Sequence, residues 1–135
     1  MRTYPSDVMG IFTVRAEVAV VGPQPSTFVD AGELLVDTGA EVTWIAAATL
    51  RAAGVTVRKV QQGFEMANGD AIYRDMGYAA IRAQGFETVD EVVFAEDNDL
   101  QLLGARTLEG FHARIDIERK RLVAGGLILA PQNRR

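Results

Sequence analysis

Between Ile11 and Val21 apolar residues fall on the even positions, Phe12, Val14, Ala16, Val18 and Val20, with Thr13, Arg15 and Glu17 between them. Alternation with a period of two marks a strand buried on one face. Gly22-Pro23-Gln24-Pro25-Ser26 ends it, because proline cannot donate to a ladder and glycine relaxes the turn. A second strand follows and closes on the apolar run Leu34-Leu35-Val36, so the pair predicts a hairpin. Ala46 to Ala53 is rich in good helix formers, and Gly54 stands where a C-terminal cap belongs. Strand signals return at Val55-Thr56-Val57-Arg58.

Ala67-Asn68-Gly69-Asp70 predicts a tight hairpin turn, since Asn-Gly tolerates positive φ, with arms at 60–66 and 71–78. Segments 78–83 and 88–94 predict a further pair joined at Gln84-Gly85. Glu96-Asp97-Asn98-Asp99 is a polar loop, Leu100 to Leu103 an apolar strand, and Ala105 to Glu109 a short helix ending at Gly110. From Phe111 to Glu118 the alternation puts Phe111, Ala113, Ile115 and Ile117 on one face of a strand. The whole pattern is mostly β with one or two short helices. It also echoes itself. Leu34 to Ala40 and Leu102 to Ala105 each carry an apolar strand, then Gly-Ala, then a helix with Thr-Leu (Thr49-Leu50, Thr107-Leu108), then Gly54 or Gly110. A duplicated strand–turn–helix unit and a chance likeness of short units both fit.

A chain of 135 residues suits a single domain over 1–135, with a core at about 11–123 and a C-terminal strand and tail at 124–135. The absence of cysteine excludes disulfide scaffolds, thiol nucleophiles and thiolate metal sites. With His112 as the single histidine, a multi-histidine metal site within one chain is excluded too. A formal charge of −4 argues against nucleic acid as a partner. Met1 to Gly10 lacks the basic and apolar regions of a signal peptide, and Leu122 to Pro131 is too short to span a bilayer. The expectation is a cytoplasmic protein with no membrane segment.

The chemistry concentrates at Asp37-Thr38-Gly39-Ala40. An aspartate leaves a buried strand at a turn that glycine permits, close enough for the Gly39 N–H to bond the carboxylate. A plain strand-ending turn has the same composition. The longer stretch Leu34-Leu35-Val36-Asp37-Thr38-Gly39-Ala40-Glu41-Val42-Thr43-Trp44-Ile45 resembles the catalytic loop of retropepsin-like aspartic proteases, most of all the small bacterial members. Leu102-Leu103-Gly104-Ala105 resembles their second motif. The Asn68-Gly69 hairpin falls between the two, where that family has its flap. The resemblance runs from about Phe12 to Val123.

It implies a small closed β-barrel with a half-site in each subunit. A homodimer would bring Asp37 to the partner's Asp37, and the two carboxylates would share one proton: one activates water, the other donates to the scissile carbonyl. One such loop per chain makes a lone subunit insufficient. By the same resemblance Thr38 and Gly39 support the loop. Ala40, Glu41, Ala67, Asn68, Gly69, Leu103 and Gly104 would lie against a peptide substrate, and neither a cofactor nor a metal is implied.

Many viral members have arginine directly after the second-motif glycine. Ala105 stands there and Arg106 follows, so the resemblance does not carry an ion pair with Glu41. Trp44 reads as core, His112 as a solvated residue on the polar face of its strand, and Glu96 to Asp99 as a solvated loop without calcium-ligand spacing. Leu127-Ile128-Leu129-Ala130 is expected at the dimer interface, where family members interleave their terminal strands; pairing within its own barrel is the alternative. The alternative to a peptidase is a non-catalytic peptide-binding or assembly domain on the same fold.

Overall fold

The structure, a computed structural model, describes residues 12–24, 27–127 and 130–131. β1 (Thr13–Ala19) and β2 (Val29–Val36) form the first predicted hairpin, in register from Thr13↔Leu35 to Val18↔Val29. β3 (Thr43–Ala46) leads directly into α1 (Ala47–Ala52). β4 (Lys59–Glu65), β5 (Ala71–Ala83) and β6 (Phe86–Ala95) follow as an antiparallel meander. β7 (Leu102–Leu103), α2 (Ala105–Phe111), β8 (Ala113–Asp116) and β9 (Arg121–Ala124) complete the order.

The main sheet runs β1-β2-β7-β3-β6-β5-β4, and β1 also pairs with β5 from Ala16↔Ala83 to Ala19↔Ala80. That extra pairing closes the sheet into a barrel and leaves β4 outside it on an edge. The alternating residues of β1 point inward as the pattern predicts: Val14, Ala16 and Val18 are buried with Leu34, Ile45, Leu50, Ile81, Val92 and Leu103. Each large aliphatic side chain buried this way stabilises the barrel by about 1.5–3 kcal/mol. Among the described residues no helix is long and apolar enough to cross a membrane.

Several elements depart from the sequence reading. Val55 to Arg58 is not a strand. Gly54, at φ +88, turns the chain so that Val55 N–H bonds the Leu50 carbonyl and the segment passes over β5. Gly77 makes room for that crossing, since a Cβ there would lie 2.5 Å from the Thr56 carbonyl. β3 was not legible as a strand, because Thr43, Trp44 and Ile45 are buried in succession and show no alternation. The segments 71–78 and 78–83 are one continuous strand of 13 residues. The strand expected at 100–103 shortens to Leu102–Leu103. Phe111 closes α2 rather than opening a strand, because His112 at φ 54 caps the helix in the left-handed region. Ile117 is outside β8 and 60% exposed, and the unpredicted β9 pairs β8 across the charged turn.

The two echoing segments lie side by side. Leu35 pairs with Leu102 and Val36 with Leu103 in parallel. The likeness stops at the helices: β3 precedes α1, whereas α2 follows Gly104 directly. Of the terminal segment, Leu127 is 98% exposed, and Ile128 and Leu129 lie outside the described residues.

Candidate active site

β2 delivers Asp37 to the end of the barrel, and the loop that follows is held from three directions. Asp37 N–H donates to the Leu103 carbonyl at 3.0 Å, and Ala40 N–H to the Asp37 carbonyl at 3.2 Å. On the other side the first amides of α2 donate back: Ala105 N–H to the Ala40 carbonyl at 2.8 Å and Arg106 N–H to the Glu41 carbonyl at 3.1 Å. Within the loop Gly39 N–H donates to Asp37 Oδ1 at 2.9 Å, the bond the sequence suggested. A Cβ at Gly39 would stand 3.2 Å from that oxygen, so glycine permits the approach. Asp37 is half-buried, whereas Thr38 and Gly39 are exposed.

Behind the loop lies a buried polar chain. Thr43 Oγ1 accepts from Gly104 N–H at 2.9 Å and sits 2.6 Å from Thr107 Oγ1, whose hydroxyl donates to Asp90 at 3.0 Å. Both threonines are fully buried. Buried polar groups are stable only when hydrogen-bonded, and this chain satisfies them while fixing α2 against β3 and β6. Gly104 belongs to the same packing: a Cβ there would meet Val42 backbone atoms at 2.5 Å.

The hairpin of β4 and β5 projects over this floor. Its tip is closed by Gly69 N–H to the Met66 carbonyl at 2.8 Å and by Asp70 N–H to Asn68 Oδ1 at 3.0 Å, with Gly69 at φ +90. Between floor and hairpin runs a cleft of about 570 Å³, lined among others by Asp37, Glu41, Trp44, Phe64, Ala67 and Leu102. A larger groove of about 780 Å³ shares Asp99 with the cleft but contains none of the Asp37 loop, so the chemistry belongs to the smaller one.

Of the residues singled out in the sequence, Asp37, Gly39, Ala40, Glu41 and Ala67 line the cleft. Thr38 is exposed at the edge of the same loop, and Asn68 and Gly69 form the hairpin tip beyond the lining. Leu103 and Gly104 are buried beneath the floor and reach the site only through the backbone. Trp44 is core as expected, 8% exposed, yet it also faces the cleft and meets Phe64 edge-on at 5.1 Å. Phe64, Leu100 and Leu102 were missed as lining residues. A signal is present for Phe64, the one aromatic residue of the 60–66 arm.

The pairing of Glu41, which the resemblance leaves open, is present, and two expectations, for His112 and Asp99, are corrected. Glu41 does pair with an arginine: Arg106 Nη2 lies 2.7 Å from its carboxylate. His112 is half-buried in a helix cap, with Nε2 2.8 Å from the Gly126 carbonyl, rather than solvated on a strand. In the 96–99 loop, Asp99 is only 11% exposed at its side chain and is gripped by Arg74.

The comparisons agree with this geometry. A family model described as "gag-polyprotein putative aspartyl protease" matches residues 30–110, from β2 through the β4–β5 hairpin into α2. Among solved structures, the EIAV protease complexed with the inhibitor HBY-793 is similar at a TM-score of 0.54 and 19% identity. The match covers 85% of this chain and 99% of that one, and at this identity it establishes a retroviral protease-like fold. No curated protein matches the chain.

Proposed function

The chain belongs to the gag-polyprotein aspartyl protease family, and from that premise we propose that it is an aspartic peptidase whose active site forms between two copies. The observation that carries this reading is the Asp37 loop: a half-buried aspartate at the floor of a cleft, braced through Gly39, under a hairpin that projects as a flap. One carboxylate is half of the machinery that peptide hydrolysis by this route requires. Thr38 and Gly39 are exposed on the same loop, and among the described residues no group bonds the Thr38 hydroxyl. A second copy related by a two-fold axis would cover them and bring the partner's carboxylate to Asp37.

The chemistry then follows. Two carboxylates at close range hold one proton between them. The ionised one takes a proton from water as the water oxygen attacks the scissile carbonyl, while the protonated one donates to the carbonyl oxygen. As the tetrahedral gem-diol collapses and its C–N bond breaks, the carboxyl that took the water proton gives it to the leaving nitrogen, and the other carboxylate takes a proton back from a gem-diol hydroxyl as the C=O re-forms. The products are a carboxylic acid and an amine, and the dyad is restored. The Gly39 amide occupies Oδ1 of Asp37 and leaves the second oxygen for water. A peptide lying extended between floor and flap would bond along its backbone like an added strand. Trp44, Phe64, Leu100 and Leu102 give the cleft apolar surface for its side chains.

The test is cleavage of an unbiased peptide library by wild type and Asp37→Asn, read by mass spectrometry, with the mass in solution followed by sedimentation. The expected result is cleavage by wild type alone, with activity per chain falling on dilution as dimers separate. Folded, dimeric wild type that binds peptides without cleaving them would favour a non-catalytic peptide-binding domain. A strict monomer at high concentration would sink the shared site.

A further inference from the structure

β5 pairs with β6 only from Met76↔Val93 to Ala83↔Phe86. Beyond Met76, toward the tip, it leaves the barrel and keeps β4 as its partner. Arg74 therefore stands at the root of the projecting flap. Residues two apart on a strand share a face. Its neighbours on that face, Ile72 and Met76, pack with Val42, Trp44, Val93 and Ala95. Arg74 is thus a charge on an apolar row, with its side chain only 15% exposed.

Its partner is Asp99, in the loop between β6 and β7. Nε donates to Oδ2 at 2.7 Å and Nη2 to Oδ1 at 2.9 Å, a two-pronged arrangement that fixes angle as well as distance. Glu96 N–H donates to the same carboxylate at 2.8 Å, and the Glu96 carboxylate lies 3.6 Å from the guanidinium. Asp99 and Leu100 form one wall of the cleft, and Phe64 to Ala67 of the flap line it as well.

Desolvating an arginine and an aspartate offsets much of their attraction, and well-packed apolar residues in place of such a pair often stabilise a fold as well or better. What the ion pair adds is geometry: it fixes the flap root in one position against the wall. On the peptidase reading above, on which this inference rests, we propose that Arg74 and Asp99 form a positioning clasp that sets how far the flap stands from the Asp37 floor. Arg74 does not line the cleft and acts through Asp99 and the flap.

The chain carries its own reporter. Trp44 is the single tryptophan and sits on the barrel, edge-on to Phe64 of the flap. A flap that swings away uncovers Trp44. The experiment compares wild type, Arg74→Met and Arg74→Lys by acrylamide quenching of Trp44 emission and by steady-state kinetics on one cleaved peptide. In Arg74→Met we expect quenching to rise and KM to increase about threefold to tenfold with kcat within about twofold, since a loose flap loses binding common to ground and transition states. Arg74→Lys keeps the charge without the fork and should fall between the two. If Arg74→Met does not fold, Arg74→Lys carries the comparison with wild type. An unchanged KM in a folded variant overturns the proposal whatever the quenching shows. If wild type cleaves no peptide, the peptidase reading fails by itself and quenching alone decides the clasp: unchanged quenching overturns it, raised quenching supports it.

Discussion

Arg106 donates to Glu41 at 2.7 Å and to Glu91 at 3.3 Å, so one guanidinium ties the end of the Asp37 loop to β6. Glu91 in turn accepts from Lys59 at 2.6 Å, at the start of the flap arm β4. That hydrogen bond, and then the charge behind it, raises Lys59 above the ordinary lysine range. The loop, α2, β6 and the base of the flap are therefore linked through four side chains. Their exposures differ: Arg106 and Glu41 are 45% and 73% exposed, but Glu91 only 18%.

That difference makes a prediction. Solvent screens the outer pair, so Arg106→Met should lower stability by no more than about 1 kcal/mol. Glu91→Gln removes the better-buried charge and leaves one of its two cations facing an NH2 donor in place of an acceptor oxygen, so it should lose about 1–2 kcal/mol. Urea denaturation of the two variants checks the order. Equal losses would mean that Glu91 is not the centre of the network.

The buried threonines give a second prediction. Thr43→Val keeps the shape but leaves Gly104 N–H without its acceptor and Thr107 without a neighbour. An unsatisfied buried group costs about 1–3 kcal/mol, so Thr43→Val should be destabilised by that much. An exposed threonine away from the Asp37 loop, such as Thr56, should tolerate the same change within about 0.5 kcal/mol in stability. Calorimetric melting of the two variants separates them.

Glycines at the two ends of the site should behave differently. Gly104→Ala drives a Cβ into Val42 backbone atoms at 2.5 Å, which cannot yield as a side chain would. We expect a loss of about 3 kcal/mol or more, the upper end for overpacking. Gly69→Ala meets nothing within 4 Å, but its φ of +90 is unfavourable for alanine. That costs about 1–2 kcal/mol and falls on the flap tip alone. Chemical denaturation measures both, and a Gly69→Ala loss as large as that of Gly104→Ala would contradict this account.

The sequence made the barrel legible where one face of a strand meets solvent, as in β1, and where a turn needs particular residues, as at Asn68-Gly69. It hid β3, whose Thr43, Trp44 and Ile45 are all buried and show no alternation. It hid β9, because Arg121 and Ala124 are exposed and only Leu122 is fully buried. The Asp37 loop could be read because its chemistry is local: Gly39 and Asp37 are two positions apart. The rest of the site joins distant residues, such as Arg74 with Asp99 and Glu41 with Arg106, and no local pattern encodes such partners. Arg74 between Ile72 and Met76 was the visible hint, a charge on an apolar row.

β4 slips its register against β5 between Lys59 and Gln62, and Gln61 takes up the irregularity at φ 49. A non-glycine residue in that region is strained by about 1–2 kcal/mol. Asp75 holds it there: Oδ1 accepts the Gln61 N–H at 2.9 Å and the Gln61 side-chain amide at 3.1 Å. Those bonds, the backbone one foremost, lower the Asp75 carboxyl below its ordinary value. A carboxylate lowered in the folded state stabilises that state fully above its unfolded pKa, and the stabilisation is lost as pH falls through the folded one. Wild type should therefore exceed Asp75→Asn in melting temperature at neutral pH. The gap should hold down to about pH 5 and close progressively below about pH 4, where protonation makes the two carboxyl and amide side chains equivalent in charge. Melting curves of both proteins from pH 7 to pH 2.5 decide it. A gap that stays constant across that range would mean that the charge of Asp75 does not hold the bulge in place.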